Sequence, residues 1–534
     1  MSKLLKIKDP VFGYIEITDD DLNAVINSAM FQRLRDIVQT SYSSVYPSAV
    51  HNRFTHSLGV YYLGKIAQSC LSRDIKRQHL ATAENVDKYG KTFLLACLMH
   101  DIGHSPFSHT GEHFYFKERN AAAQPMIWRR LLDELADDDF VSDLPDGKVV
   151  GAEHEVMSAY VSIVNYPHIF EKYDKSFFTR CIIGLKYSDA SDVRNCFIDL
   201  LNSKTIDVDK LDYLIRDSFT TGFKSINIDY KRLLNAVCVI RTGNSILQGF
   251  EKSALSTLES VILAHDMERK WIQNHPVIKY ESNLVAYMIA KTQGAYEELH
   301  LPLFSAEALS EKGVQNENGR ICLLSDADIS SYAKKFYGKD KWITEYFSRG
   351  TRKKPLWKSE SEYRFYFDKA GVAPNVLSLL EEKFKSLQDA LILRYDFPVI
   401  NQRVLDNFNY EIENAKFVPA VVSAGKKAEL DKVICLINML KDYSAEKEYP
   451  FEYVIIRANQ FKTGFNKSEL KNIRVRISDR ENCILDDLLH LFNADNPRDN
   501  YFYLFVDSSA KGKVDVGELA QKIANFALHE YQQR

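Results

Sequence analysis

Residues 99–109 read Met99-His100-Asp101-Ile102-Gly103-His104-Ser105-Pro106-Phe107-Ser108-His109, and this stretch decides the fold. An unbroken apolar run, Phe93-Leu94-Leu95-Ala96-Cys97-Leu98-Met99, leads into it and reads as a buried helix that ends at the dyad. A core helix that stops at adjacent imidazole and carboxylate groups carries two metal-capable side chains out of the interior together. Gly103 and Pro106 then break the helix, so that His104 and His109 fold back over its end.

Two further segments hold candidate ligands: His56 in His51-Asn52-Arg53-Phe54-Thr55-His56-Ser57-Leu58-Gly59, and Asp209 in Asp207-Val208-Asp209-Lys210-Leu211-Asp212-Tyr213. Together with the dyad, His56, His100, Asp101 and Asp209 form a set of two imidazoles and two carboxylates. That set suits a divalent ion such as Mg, Mn, Fe or Zn. Such an ion lowers the pKa of bound water and neutralises charge at phosphorus. A lone His-Asp pair is more often a surface hydrogen bond, but four ordered ligands in four motif-like contexts outweigh that reading.

Histidines are also concentrated here. His104, His109 and His113 follow the dyad, and His154 lies in Glu153-His154-Glu155. Imidazoles supply proton donors to phosphate oxygens and leaving groups near neutral pH; His113 reads instead as a core residue. Lys210 and Arg53 are point and fork cations suited to a polyphosphate. Tyr213 and Asp217 lie one and two helical turns on, able to face the same cleft, Tyr213 packing on a sugar and Asp217 accepting from a sugar hydroxyl. The competing reading is an amphipathic helix with Leu211, Leu214 and Ile215 inward, and it is preferable wherever the metal motif is absent.

Composition excludes several classes. The chain has 534 residues, 45% hydrophobic and 26% charged, with a net charge of -3, so bulk electrostatics give no case for nucleic-acid binding. Its eight cysteines include no C-x-x-C pair. Cys97, Cys181, Cys238 and Cys435 lie in apolar runs and read as reduced core residues of a cytoplasmic protein. No apolar segment follows a basic start, and no apolar stretch is long enough to span a bilayer.

The pattern predicts a mainly α protein in three parts: a helical core over 1–300, a mixed helical extension over 301–414, and a C-terminal α/β or α+β module over 415–534. Asp19 to Asp21 open a helix that carries Leu22, Val25, Ile26, Met30 and Leu34 on one side, and another helix runs from His56 through Cys70. The acid-rich stretch from Glu134 to Asp146, with Pro145 and Gly147, reads as a surface insertion or lid. Residues 151–300 are helical in period. Arg349, Arg352, Lys353 and Lys354 form a basic patch. In the last part, strands are expected at 417–422, 451–456, 473–477 and 501–506, and helices at 428–441, 483–492 and 516–532.

Asp9-Pro10-Val11-Phe12-Gly13-Tyr14-Ile15, Phe31-Gln32-Arg33-Leu34-Arg35, Gln39, Tyr46-Pro47, the His51–Gly59 run, the dyad segment and Asp207–Tyr213 with Arg216-Asp217 in combination resemble the deoxynucleoside-triphosphate triphosphohydrolases. These HD-domain metallohydrolases include bacterial dGTPase-like enzymes and the vertebrate SAM- and HD-domain dNTPase. The resemblance covers residues 5–235. It implies hydrolysis of a dNTP at the α-phosphorus–O5′ bond, giving deoxynucleoside and triphosphate. It assigns the metal to His56, His100, Asp101 and Asp209, and the proton to His109, oriented by Glu112 where the family usually has Asp. His104 and His154 are assigned to phosphate or a second metal, Arg53 and Lys210 to the triphosphate, Tyr213 to the deoxyribose, Asp217 to its 3′ hydroxyl and Gln39 to the sugar or base edge. An effector pocket for a dNTP or GTP would use Gln32, Arg35 and Asn27, the last in place of an acid. The family also implies a homo-oligomer, dimer or tetramer, and a role in dNTP depletion during antiphage defence. Two other readings remain open: an HD-type phosphodiesterase or nuclease, supported by the basic patch, and a nucleotide-gated scaffold whose C-terminal module binds a protein partner.

Overall fold

The computed structural model describes residues 4–116, 124–223, 227–413, 427–458, 470–478, 481–488 and 501–532. Helices dominate. The described strands are β1 (Leu5–Asp9), β2 (Gly13–Ile17), β3 (Val237–Thr242), β4 (Ser245–Glu251), β5 (Val314–Asn316) and β6 (Gly319–Ile321), followed by β7 (Lys354–Pro355), β8 (Val399–Asn401), β9 (Glu452–Ala458), β10 (Arg474–Ser478), β11 (Glu481–Ile484) and β12 (Tyr501–Val506). The chain forms two compact units. The first comprises residues 1–269, 292–330 and 463–495; the second comprises 270–291, 331–462 and 496–534. Their boundaries do not follow the linear division at 300 and 415, because the chain passes between units several times.

The first unit holds every candidate site residue. β1 and β2 form an antiparallel hairpin whose turn is closed by Asp9, accepting from the amides of Val11 (2.8 Å) and Phe12 (2.9 Å). Asp19 caps the helix Asp20–Asn27 through the amides of Asp21 and Leu22. The single helix expected to reach Leu34 breaks at Ser28, where the backbone is extended (ψ 148°). The Ser28 hydroxyl bonds the Val25 carbonyl (2.7 Å), competing with helix continuation, and then caps Ala29–Gln32. Leu22, Val25, Ile26, Met30 and Leu34 are all buried nonetheless.

Two long helices make the core. Arg53–Arg77 starts at Asn52, whose side chain accepts from Thr55, and Ala83–Met99 starts at Thr82. They approach closely at Gly64, where an added Cβ would lie 2.7 Å from the Cys97 sulfur. The helix Val208–Thr221 packs beside the first of them. The sheet of this unit has the order β11-β10-β4-β3, with β10 parallel to β4. Arg476 on β10 is clamped by Glu251 (2.8 Å) and by Asp74 (2.8 Å) near the end of the long helix.

In the second unit the order is β7-β12-β9-β8, all antiparallel. Every residue of β12 is buried, which accounts for its continuous apolar and aromatic sequence.

Several expectations are corrected. The β1–β2 hairpin lies in a region read as helical, and β3–β4 lies inside 151–300; the β-branched Val237, Val239 and Ile240 and the Gly243 turn outweigh helical period there. The helix expected at 483–492 begins as strand β11 and becomes helical only at Leu485–Leu488. The strand expected at 417–422 lies outside the described residues. The strand at 501–506 and the helix at 516–532 are present with the expected bounds, and the strands at 451–456 and 473–477 and the helix at 428–441 are present with shifted ends. Cys435 is exposed, not core. The basic patch is divided: Arg352 and Lys353 are buried and paired with Glu281 and Glu452, while Arg349 and Lys354 are exposed.

Candidate active site

Three helices bring the four candidate ligands together. His56 lies in the first turn of Arg53–Arg77, His100 caps the end of Ala83–Met99 with Asp101 following, and Asp209 lies in the first turn of Val208–Thr221, where Asp207 caps the helix. His56 Nε2 stands 3.3 Å from His100 Nε2, 2.9 Å from Asp209 Oδ1 and 3.5 Å from Asp101 Oδ2. His100 Nε2 is 3.4 Å from Asp101 Oδ1 and 3.7 Å from Asp209 Oδ1. The outer ring nitrogens are engaged elsewhere: His56 Nδ1 lies 2.7 Å from Asp212 Oδ2, and His100 Nδ1 lies 3.0 Å from the Cys97 carbonyl. A ring that donates from Nδ1 keeps a lone pair on Nε2. His56, His100 and Asp101 lie close enough to hold one divalent cation, and Asp209 Oδ1 adjoins them through the two Nε2 atoms. The field has the same sign: although burial opposes it, Asp209 and Asp212 push His56 up to about 10. Asp209, 38% exposed at its side chain, marks the open side.

Behind His56 runs a buried ionic chain. Asp212 is gripped by Arg216 through Nε and Nη2 (2.9 Å each), and Arg216 Nη1 reaches Asp9 Oδ2 on the β1–β2 turn (2.9 Å). Gly59 makes room for it: an added Cβ would stand 1.8 Å from Asp212 Oδ1 and 2.4 Å from Arg216. A helix-interior glycine costs about 1 kcal/mol relative to alanine, and here the space is filled by the carboxylate that orients a ligand. No role was read from sequence for Asp212 or Arg216; the one available signal was their i,i+4 spacing on the Asp209 helix.

A second cluster centres on Glu112. Its Oε1 lies 2.8 Å from His109 Nδ1 and 3.0 Å from His104 Nδ1, and its Oε2 lies 3.1 Å from His154 Nδ1. His104 and His154 stack at 4.3 Å. The cluster joins the ligand set where His104 Nε2 comes within 3.3 Å of Asp101 Oδ1. Burial works to raise the Glu112 pKa, but the charges of His109, His154 and His104 hold it well below the carboxylate range. Against burial, Glu112 pushes His154 up to about 9, while burial and then Arg53 push His104 down to about 4. His109 is 62% exposed and so is the accessible imidazole. It follows two non-glycine residues in left-handed backbone, Phe107 (φ 56°) and Ser108 (φ 53°), each costing roughly 1–2 kcal/mol.

The other candidates are placed as follows. Arg53 is buried, its Nη1 2.8 Å from Asp101 Oδ2, its Nε 3.0 Å from Ser108 Oγ and its Nη2 3.3 Å from His109 Nε2. Lys210 Nζ donates to the Ser203 carbonyl (2.8 Å) and pairs with Asp207 (2.5 Å). Tyr213 is half-buried, its hydroxyl pushed well above its usual range by burial. Asp217 is buried with Oδ1 2.6 Å from His51 Nε2, a partner sequence reasoning missed. Gln39 is buried; its amide donates to the His51 carbonyl (3.0 Å), and its side-chain oxygen has no hydrogen-bond partner among the described residues. Of the effector candidates, Gln32 and Arg35 are bonded to each other (2.7 Å), whereas the Asn27 amide turns back to Asn23 (2.7 Å) and does not join them.

An HD domain model matches residues 53–158. An uncharacterised protein of Mycoplasma genitalium is 28% identical over 52% of this chain and 58% of its own length. The deoxynucleoside triphosphate triphosphohydrolase SAMHD1 of Gallus gallus is 33% identical over 44% of this chain and 37% of its own length. The matches thus span little more than half of the former relative and about a third of the latter. Among solved structures, a phosphohydrolase of Bacteroides thetaiotaomicron superposes with a TM-score of 0.56 at 17% identity, covering 94% of this chain and 99% of that one. Among the described residues, no helix is long and apolar enough to cross a membrane. The chain contains an HD domain, and over less than half of its length it is similar to deoxynucleoside triphosphate triphosphohydrolases.

Proposed function

We propose that the chain is a metal-dependent hydrolase that cleaves deoxynucleoside triphosphates to deoxynucleoside and inorganic triphosphate. One observation carries this reading: the four-ligand set and the Glu112 imidazole cluster share Asp101 and His104 as neighbours, so a cation site and a proton source adjoin. His56, His100, Asp101 and Asp209 would hold the ion, which when bound supplies charge neutralisation at phosphate and a lowered pKa for water.

The chain's own groups account for the rest. Glu112 Oε1, 2.8 Å from His109 Nδ1, would orient the ring electrostatically, and His109 would protonate the departing O5′. Arg53, held by Asp101 and Ser108, and Lys210, held by Asp207, offer fixed cations to the triphosphate. His104 and His154 border the phosphate path. Tyr213 packs under the deoxyribose and crowds a 2′ hydroxyl, while Asp217, oriented by His51, accepts from the 3′ hydroxyl, with Gln39 at the sugar or base edge. The Gln32–Arg35 pair offers a nucleotide effector contact. Assembly as a dimer or tetramer, partner binding by the C-terminal part, a cytoplasmic location and dNTP depletion in antiphage defence belong to the same proposal.

The test is chromatography of products from each dNTP, alone and in pairs, with Mg²⁺ or Mn²⁺. Deoxynucleoside plus triphosphate is expected. Release of only dNMP or orthophosphate rejects the reading. The nuclease alternative rests on the basic patch, of which Arg349 and Lys354 are exposed while Arg352 and Lys353 are buried in ion pairs.

A further inference from the structure

We propose that Asp326 is a positioning residue for the reacting histidine: its buried carboxylate latches the strained Phe107–Ser108 turn to Val38 and so fixes where His109 stands. The proposal rests on the role given to His109 above and extends it to a segment outside every histidine motif.

Asp326 opens the helix Asp326–Ala333, 219 residues from Phe107 in sequence. Its Oδ1 accepts from the Phe107 amide at 2.6 Å, and its Oδ2 accepts from the Val38 amide at 2.9 Å. Val38 and Phe107 precede Gln39 and the Ser108-His109 pair, so one carboxylate spans both walls of the site. Arg33 fastens the same segment: Nη1 donates to the Leu324 carbonyl (2.8 Å), and Nη2 donates to the carbonyls of Ile102 (2.8 Å) and His104 (3.0 Å). Ser108 closes the loop, donating to the Val38 carbonyl and accepting from Arg53.

Two successive non-glycine residues in the left-handed region relax unless their surroundings over-determine them. Asp326 supplies that constraint, with two acceptor oxygens at one time. Burial also pushes its pKa up to about 7, so a carboxyl is kept where its charge is disfavoured. An amide of the same size offers one acceptor oxygen and cannot hold both amides.

The experiment uses full-length protein with Asp326→Asn, Asp326→Ala and the conservative Asp326→Glu, checked for fold by circular dichroism. Hydrogen exchange in peptides covering 104–110, the rate of diethyl pyrocarbonate modification at His109, bound metal and dNTP kinetics are measured. Exchange at 104–110 is expected to rise roughly tenfold or more in the Asn and Ala variants, with altered His109 reactivity and wild-type metal content. Turnover should fall by on the order of 100-fold in kcat with little change in KM, and Asp326→Glu should recover part of it. Wild-type exchange at 104–110, or kcat within about twofold of wild type, overturns the proposal. Unfolding of both the Asn and Ala variants also overturns it, in favour of a purely structural role. If the wild-type chain cleaves no dNTP, the proposed function fails, while exchange and His109 modification still decide the latch.

Discussion

The two histidine clusters are built on opposite principles. His56, His100 and Asp101 are buried at or near helix ends, and His56 is backed by a chain of ion pairs reaching to Asp9. The Glu112 cluster draws His109 and Glu112 from short turns and His154 from the start of a helix, lies beside strained backbone, and leaves His109 largely exposed. A fixed charge is served by rigid ligands that need not move. A proton in transit needs one group in contact with solvent and substrate, steered by a buried partner. The contrast predicts that damage to the first cluster removes the metal, whereas damage to the second slows chemistry with the metal still bound.

The largest break is Asp101→Ala. It removes a ligand and the partner of both Arg53 and His104, so bound metal is lost and turnover drops beyond about a thousandfold, read by elemental analysis alongside product assay. Next is His109→Ala, which should lower kcat by roughly 10²–10⁴-fold while metal content stays at the wild-type level; loss of metal there would erase the distinction between clusters. Asp212→Asn sharpens it from the other side. Metal affinity should weaken by about 10–100-fold in a competition titration, because His56 loses its charged orienting partner, and Gly59→Ala should act in the same direction.

The smallest effect at neutral pH concerns stability. His154 is raised in the folded state to about 9 from 6.5, so its contribution is fully present below pH 6.5 and is lost as pH rises through 9. Thermal melts of the wild type should therefore decline over that window more steeply than those of His154→Gln; parallel curves would contradict the pairing with Glu112.

The four candidate ligands stand out in the sequence because each sits in a local motif: a helix end, a capped first turn, an apolar run before His-Asp. Their convergence is what the helix packing adds. The orienting groups were not legible. Asp9 meets Arg216, His51 meets Asp217 and Asp326 meets Phe107 across many tens to hundreds of residues, and no periodicity encodes such pairings. Arg53 illustrates the limit in another way. Its character as a fork cation could be read from the chain, but not that Asp101, Ser108 and His109 surround it. In the fold, β12 was readable from its unbroken apolar run, whereas β1–β2 was hidden in a region of helical period.

The parallel pairing of β10 with β4 has a consequence for how the molecule is made. The sheet of the first unit is finished by a strand that leaves the ribosome more than two hundred residues after the strand it pairs with. A nascent chain ending before residue 474 therefore exposes β4 as an open edge and leaves Asp74 without Arg476, an invitation to aggregate. Cutting the gene at the apparent C-terminal module would strip two strands from the sheet of the first unit as well as remove the tail.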